Sequence, residues 1–143
     1  MNTVRHILQV KGFDLWTVTP DITVFDGLRI MADKDIGALL VVEHDKLLGI
    51  FTERHYARKI VLLGKTSQKT PIRDVMSTTL VPIHPDQTVE EALALMSEKK
   101  VHYLPVMEGD HLLGILSIGD AVTSIIFHQR ATIRSLEEKV ARP

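Results

Sequence analysis

The chain has 143 residues, of which 17 are basic and 18 acidic, so its formal net charge is −1. The two signs are well mixed along the chain, so nothing indicates a positive patch for nucleic acid or an anionic membrane surface, and 45% hydrophobic residues suffice for a sizeable core. The absence of cysteine excludes disulfides, thiolate metal sites and a cysteine nucleophile. No apolar run approaches the roughly 18 residues of a membrane span, and the N-terminus lacks a signal-peptide core, so we expect a soluble, cytoplasmic protein.

The first half of the chain alternates helical and extended patterns. Asn2 or Thr3 can cap a short amphipathic helix that Gly12 ends, and Thr23 can cap a second helix. Two apolar strands follow, the first with almost no polar interruption, as is typical of a strand covered on both faces. The predicted ranges are helices over about Val4 to Val10 and Val24 to Lys34, strands Ile36 to Val42 and Leu47 to Phe51, and a helix from Thr52 to about Leu62.

The second half repeats this order after a polar loop over residues 64–70. Thr70-Pro71 has the pattern of a cap followed by proline at the first helical position, and Thr88 with Glu91 forms a capping box. The predicted ranges are a short helix Ile72 to Met76, an extended piece Val81 to Ile83, a helix Val89 to Glu98, strands Val101 to Met107 and Leu112 to Leu116, and a long helix from Ser117 to about Val140.

The two halves superpose with a constant offset of 65 residues. Between residues 20 and 52, fifteen of 33 positions are identical without a gap, which indicates a duplication. One copy is too small to bury its own strands and helices, so we expect two copies packed sheet against sheet, with pseudo-twofold symmetry and similar clefts between them. The predicted domain ranges are 1–64 and 65–128 for the repeats and 129–143 for a C-terminal helix extension.

Residues 114–120 are the segment around which the rest is organised, because there a buried strand passes through Gly114 into a helix. Ser117 stands where an N-cap belongs, and Asp120 lies in the first turn. A helix N-terminus offers unpaired backbone N–H groups and a positive dipole end, so it can bind a phosphate, while the carboxylate could accept hydrogen bonds from a ribose. The alternative is an ordinary capping pattern in which the hydroxyl only satisfies its own helix.

The repeat and its motifs resemble a tandem pair of cystathionine-β-synthase (CBS) domains, from about Val4 to Phe127. The matching motifs are the twin Gly-hydrophobic-hydrophobic-Thr/Ser endings, the strand entries Asp-Lys-Leu-Leu-Gly-Ile and Asp-His-Leu-Leu-Gly-Ile, and residues 101–106. The chain looks like a free-standing bacterial CBS pair. The resemblance implies an α/β (α+β) fold in which each repeat is a short helix followed by β-α-β-β-α, packed sheet to sheet, and an adenine nucleotide or adenosyl ligand such as AMP, ATP, NAD or S-adenosylmethionine.

Carried over by position, the resemblance implies two ligand sites. In the second copy, Ser117 would contact the phosphate beside Ile118 and Gly119, and Asp120 the ribose hydroxyls. The adenine pocket there would be lined by Val101, His102, Tyr103, Leu104 and Pro105, with Thr79, Leu80 and Val81 across from them. The first-copy site would consist of Thr52, Arg54, His55, Ile36, Gly37 and Ala38.

The first copy departs from the family pattern, because His55 stands where the ribose-binding aspartate is expected. A neutral imidazole accepts one hydrogen bond and cannot hold two hydroxyls as a carboxylate does, so this site could bind weakly, bind differently or be empty. A protonated His55 could instead face a phosphate. Arg54, Arg58 and Lys59 have the spacing of a solvated helix face, and the alternative is that Arg54 reaches a ligand phosphate.

The sequence offers no nucleophile, activated base or metal-ligand set, so we expect no catalytic residues, no metal and no enzyme activity. The function expected is regulatory ligand binding, and the alternative is a ligand-free dimerisation or scaffold protein. The resemblance implies a homodimer, for which the apolar start of the last helix, residues 121–127, gives an independent physical basis. We also expect an unidentified regulated protein as partner, and neither nucleic acid nor membrane.

Overall fold

The computed structural model describes residues 2–12 and 15–141. Within these residues the fold is mixed α/β, as expected, with five α-helices and two small sheets. The elements are α1 (Val4–Lys11), β1 (Thr17–Val18), α2 (Val24–Lys34), β2 (Ala38–Glu43), β3 (Lys46–Thr52), α3 (Glu53–His55), a π-helical segment (Tyr56–Val61), a 3-10 turn (Ile72–Asp74), α4 (Val89–Lys99), β4 (Tyr103–Glu108), β5 (His111–Ser117) and α5 (Ile118–Ala141).

The chain forms two compact units that divide it differently from the predicted repeat boundaries. One unit is Leu15–Leu80, and the other joins Met1–Asp14 to Val81–Pro143. The difference arises because α1, which lies inside the predicted first repeat, packs with the helices and strands of the second, and residues 65–80 join the first unit. The predicted C-terminal extension is the outer half of α5 as far as residue 141, and residues 142 and 143 lie outside the described part.

The unit Leu15–Leu80 is a three-stranded sheet covered by helices. Strand β1 runs parallel to β2, and β2 pairs antiparallel with β3 through a bulge between Val41 and Val42. Thr23 caps α2 as predicted, since its hydroxyl accepts from the Asp26 amide at 3.1 Å. The apolar stripe of α2 and the inner faces of the strands meet in one core, formed by Val18, Val24, Met31, Leu39, Val41, Phe51, Ile60, Ile72 and Val75.

The segment after β3 corrects the prediction of one continuous α-helix to Leu62. Only Glu53–His55 is α-helical, and Tyr56–Val61 follows as a π-helix. In this wider turn Ile60 is buried, with 2% of its surface exposed, and the Lys59 ammonium donates to the Val75 carbonyl at 3.1 Å.

The short helix predicted at Ile72 to Met76 is a 3-10 turn that ends at Asp74, and its predicted cap is wrong. Pro71 occupies the N-cap position, and the Thr70 hydroxyl donates to the Thr66 carbonyl at 2.8 Å instead of capping the turn. The turn is held by backbone bonds such as that from the Ile72 amide to the Ile22 carbonyl, at 2.9 Å.

The second unit contains a two-stranded antiparallel sheet, β4 with β5, covered by α1, α4 and α5. Thr88 and Glu91 form the predicted capping box of α4. The predicted extended piece before α4 meets β4 at one position, where the Ile83 amide donates to the Pro105 carbonyl at 2.9 Å. The core is formed by Val4, Ile7, Leu8, Ile83, Val89, Ala92, Met96, Leu104, Val106, Leu116 and Ala121.

Helix α1 is bound into this unit as the 3-10 turn is bound into the other. Thr3 caps α1, the Val4 amide donates to the Gln87 carbonyl at 3.0 Å, and the Val89 amide donates to the Asn2 carbonyl at 3.0 Å. These bonds have direct equivalents at the 3-10 turn, so the duplication preserves the backbone pairing of each short helix within its unit.

A candidate ligand site at the start of helix α5

Ser117 and Asp120 bond to each other where β5 passes into α5. The Ser117 hydroxyl accepts from the Asp120 amide at 3.0 Å, and Asp120 Oδ2 accepts from the Ser117 amide at 3.1 Å. The two residues therefore form a reciprocal capping box, which satisfies two of the amides left unpaired at the helix start.

Lys11, at the end of α1, completes this group. Its ammonium donates to Asp120 Oδ2 at 2.7 Å and to the Ile115 carbonyl at 3.0 Å. Burial acts to raise the pKa of Asp120, but the hydrogen bonds from Lys11 and the Ser117 amide outweigh it and hold the pKa below the usual 3.8. Asp120 is therefore an ionised carboxylate at neutral pH.

The carboxylate borders a cavity of about 670 Å³ between α1 and α5. Of the predicted site residues, the cavity brings together Ser117, Gly119 and Asp120. Sequence reasoning missed the rest, because only the fold shows that α1 packs beside α5. The missed lining residues are Asn2, His6, Ile7, Val10, Lys11, Thr123, Ser124, Phe127 and His128.

The residues expected around an adenine base do not line this cavity. Leu104 is fully buried in the core of its unit and Pro105 is buried beside it. Val101 packs against the same core, and the His102 carbonyl accepts from the Ile118 amide at 2.9 Å, where β4 meets the start of α5. Tyr103 is partly buried on β4, and Val81 packs against the same core, whereas Thr79 and Leu80 belong to the other unit.

The first-copy site has the same local geometry with different chemistry. The Thr52 hydroxyl accepts from the His55 amide at 3.3 Å, and the His55 ring nitrogen Nδ1 accepts from the Thr52 amide at 3.1 Å. Burial, with smaller contributions from the positive charges of Lys59 and Arg54, lowers the pKa of His55 below its usual 6.5. The imidazole therefore takes the place of the carboxylate in the capping box, in its neutral form.

Three of the remaining first-copy residues contribute to the packing or the backbone hydrogen bonds of their unit. Ala38 is buried, Ile36 packs against the core, and the Gly37 carbonyl accepts from the Glu53 amide at 3.3 Å. Arg54 is exposed at the start of α3, which fits the solvated-face interpretation and leaves its phosphate role a prediction.

The structure also brings together three side chains of the kinds that bind metal ions, a cluster that the sequence did not predict. His84, Asp86 and Glu108 offer ligand atoms within 4.8 Å of one another on the surface of the second unit. The guanidinium of Arg5 bonds to both carboxylates there, at 3.1 Å to Asp86 and 2.8 Å to Glu108. These bonds tie α1 to the loop before α4 and to the end of β4.

Both repeats match the family model of the CBS domain, at residues 4–62 and 72–126. The chain therefore belongs to the CBS domain family, as its motifs indicated. CBS pairs are regulatory ligand-binding modules. None of the helices in the described ranges combines the length and apolar character needed to cross a membrane.

Two relatives and one solved structure align with most of the chain. The chain is 33% identical over 115 residues to the CBS domain-containing protein YhcV of Bacillus subtilis, covering 80% of this chain and 81% of that protein. It is 33% identical over 144 residues to the mitochondrial CBS domain-containing protein CBSX3 of Arabidopsis thaliana, covering 94% and 69%. A solved structure of a protein with CBS domains from Burkholderia ambifaria is 43% identical, with a TM-score of 0.85 and coverage of 90% and 96%.

Proposed function

We propose that this protein is a non-catalytic sensor of adenine nucleotides such as AMP, ATP or NAD, and that ligand occupancy changes its contact with a regulated protein in the cytoplasm. The observation that carries the proposal is the cavity beside α5, where an ionised carboxylate and an ammonium group lie together. An adenine nucleotide needs both kinds of group, an acceptor for its ribose hydroxyls and a cation for its phosphate.

The two charged groups keep capacity for a ligand despite bonding to each other. Both bonds described for Asp120 end on Oδ2, so Oδ1 can accept a ribose hydroxyl. An ammonium has three N–H donors, and Lys11 uses two of them, on Ile115 and Asp120. The third can donate to a phosphate, and the Ser117 hydroxyl, which accepts from the Asp120 amide, still has its own proton to donate.

Lys11 also supports a phosphate-bearing ligand over a sulfonium. A solved CBS domain pair, 24% identical to this chain, is in complex with 5′-methylthioadenosine and S-adenosyl-L-methionine. The sulfonium of S-adenosylmethionine carries a positive charge, which Lys11 would repel, whereas a phosphate would be attracted. The proposed adenine-side residues Val101, His102 and Tyr103 and the first-copy site stay predictions.

A thermal-shift screen against AMP, ADP, ATP, NAD, NADH and S-adenosylmethionine tests the proposal. A ligand at about one hundred times its Kd stabilises the fold by about 2.7 kcal/mol. Asp120→Ala should cost about 1.5–3 kcal/mol of nucleotide affinity, because it removes a charged acceptor. Asp110→Ala, which removes an exposed carboxylate outside the cavity, is the matched control and should bind as the wild type does.

A second candidate function is a ligand-free scaffold, and the capping box favours it. Ser117 and Asp120 satisfy each other without any ligand. No thermal shift with any of the six compounds would support the scaffold. A shift that Asp120→Ala leaves unchanged would show that a ligand binds but that this cavity is not its site.

A further inference from the structure

The cavity between α1 and α5 carries little net charge. Among the described residues that line it, Lys11 and Asp120 are the two with a formal charge when histidine is counted as neutral, and their charges are opposite. The Lys11 ammonium lies 2.7 Å from Asp120 Oδ2, so each group balances most of the charge of the other. The start of α5 adds the positive end of the helix dipole, which is worth about half an elementary charge.

Much of the remaining wall is apolar. Ile7 and Val10 come from α1 and Phe127 comes from α5, and the last two are 75% and 66% exposed. The amide of Asn2 also lines the cavity, but it is uncharged and donates to the Ser124 hydroxyl at 2.8 Å. An uncharged ring can cover such a wall, whereas a phosphate placed against it would lose water without gaining a cation.

Adenine nucleotides differ greatly in the charge that they would bring to this cavity. A phosphate monoester such as that of AMP carries about 1.5–2 negative charges at pH 7. Each further phosphate in ADP and ATP adds to this charge. In NAD each phosphate is substituted on two sides and the nicotinamide ring is positive, so the molecule carries much less negative charge than ATP.

We propose that the cavity selects adenine nucleotides by charge, so that it binds AMP or NAD in preference to ATP. The inference rests on the proposed function, because it concerns which nucleotide the same cavity takes. Lys11 and the Ser117 hydroxyl can hold one phosphate group. Further phosphates would meet no second lysine or arginine on the described wall, and the carboxylate of Asp120 would repel them.

Isothermal titration calorimetry of the full chain with AMP, NAD, ADP and ATP, all without magnesium, tests the selection. AMP and NAD should each bind about tenfold or more tightly than ATP, with ADP between them. Magnesium binds phosphate oxygens and neutralises part of their charge, so adding MgCl2 should narrow the difference. If ATP binds as tightly as AMP without magnesium, the selection by charge is wrong while the proposed function stands. If no nucleotide binds, both are wrong.

A lysine added to the wall tests the cause of the selection. Thr123 lines the cavity and is exposed, so Thr123→Lys should raise the affinity for ATP about tenfold relative to that for AMP without disturbing the core. Ala131→Lys adds the same charge at an exposed position of α5 outside the cavity, so it is the matched control and should leave the ratio unchanged. A ratio that does not respond to Thr123→Lys, or responds equally to both variants, would overturn the proposal.

Discussion

The starts of α3 and α5 are the same structure made with different chemistry. In one, Thr52 and His55 exchange bonds of 3.1 and 3.3 Å, and in the other, Ser117 and Asp120 exchange bonds of 3.1 and 3.0 Å. The duplication has therefore kept the capping geometry while the group at its third position changed from carboxylate to imidazole, or the reverse.

The difference lies in the charge that each start presents. Asp120 is held ionised beside Lys11, whereas burial keeps His55 neutral near Lys59 and Arg54. In both residues the lowered pKa keeps the side chain deprotonated, so that it can accept a hydrogen bond from the capping amide. Only Asp120 adds a negative charge and a second acceptor oxygen, so we expect the start of α5 to be the stronger of the two candidate ligand sites.

The largest difference in stability between the two copies is expected when the glycines that precede α3 and α5 are substituted. A Cβ on Gly49 would lie 2.7 Å from the Ser77 carbonyl oxygen, which is backbone, whereas a Cβ on Gly114 would lie 3.0 Å from a methyl of Leu8. Gly49→Ala should therefore cost about 2–3 kcal/mol of unfolding free energy and Gly114→Ala about 1 kcal/mol or less. Urea denaturation of both variants measures this, and equal costs would contradict the contrast.

Removing the Lys11 ammonium beside Asp120 should have a smaller effect on the free energy of unfolding. This effect is present only when the carboxylate is ionised. Lys11→Met should lower the free energy of unfolding by about 1 kcal/mol at pH 7, because the pair is only partly buried. The pKa of Asp120 is lower in the folded state, so its contribution is full above pH 3.8 and is lost as the pH falls through the folded value. Urea titrations of both proteins at pH 7 and pH 3 measure this, and the difference between the two proteins should be smaller at pH 3.

The smallest effect is expected at His55. Its pKa is lowered on folding, so its contribution to stability is full above pH 6.5 and is lost as the pH falls through the folded value. Between pH 7.5 and 5.5 the titration of His55 should change the free energy of unfolding by about 0.5 kcal/mol, since the ring is partly solvent-screened. His55→Asp should abolish this change. Melting temperatures across this window test it, with His44→Asp, an exposed turn histidine, as the control. Parallel curves for wild type and His55→Asp would show that the ring does not titrate with folding.

Local signals predicted most of the fold. Thr3, Thr23 and Thr88 begin helices as their spacing indicates, because a cap and an apolar stripe are both encoded within a few residues. The π-helical segment after α3 could not be predicted in this way. Its residues have ordinary helical spacing, and the burial of Ile60 and the bond from Lys59 to Val75 depend on the packed unit.

The candidate site was predictable only where the repeat itself encodes it. Ser117 follows from the duplicated strand-to-helix motif, whereas Asp120 follows from its place in the first turn and from the family resemblance, because the first copy has His55 there. Lys11 does not, because it lies 109 residues from Asp120 and nothing in the pattern of α1 says which unit it joins. Contacts of this range are fixed by packing alone.

The joining of α1 to residues 81–143 also sets an order of events during synthesis. The unit Leu15–Leu80 is fully synthesised before α4 is made, whereas Arg5 must wait for Asp86, which is 81 residues further along. At roughly 5–20 residues per second this interval lasts about 4–16 seconds. During that time the apolar face of α1, with Val4, Ile7 and Leu8, has no native core to enter, so this helix should be the segment of the nascent chain that is most open to chaperones and proteases.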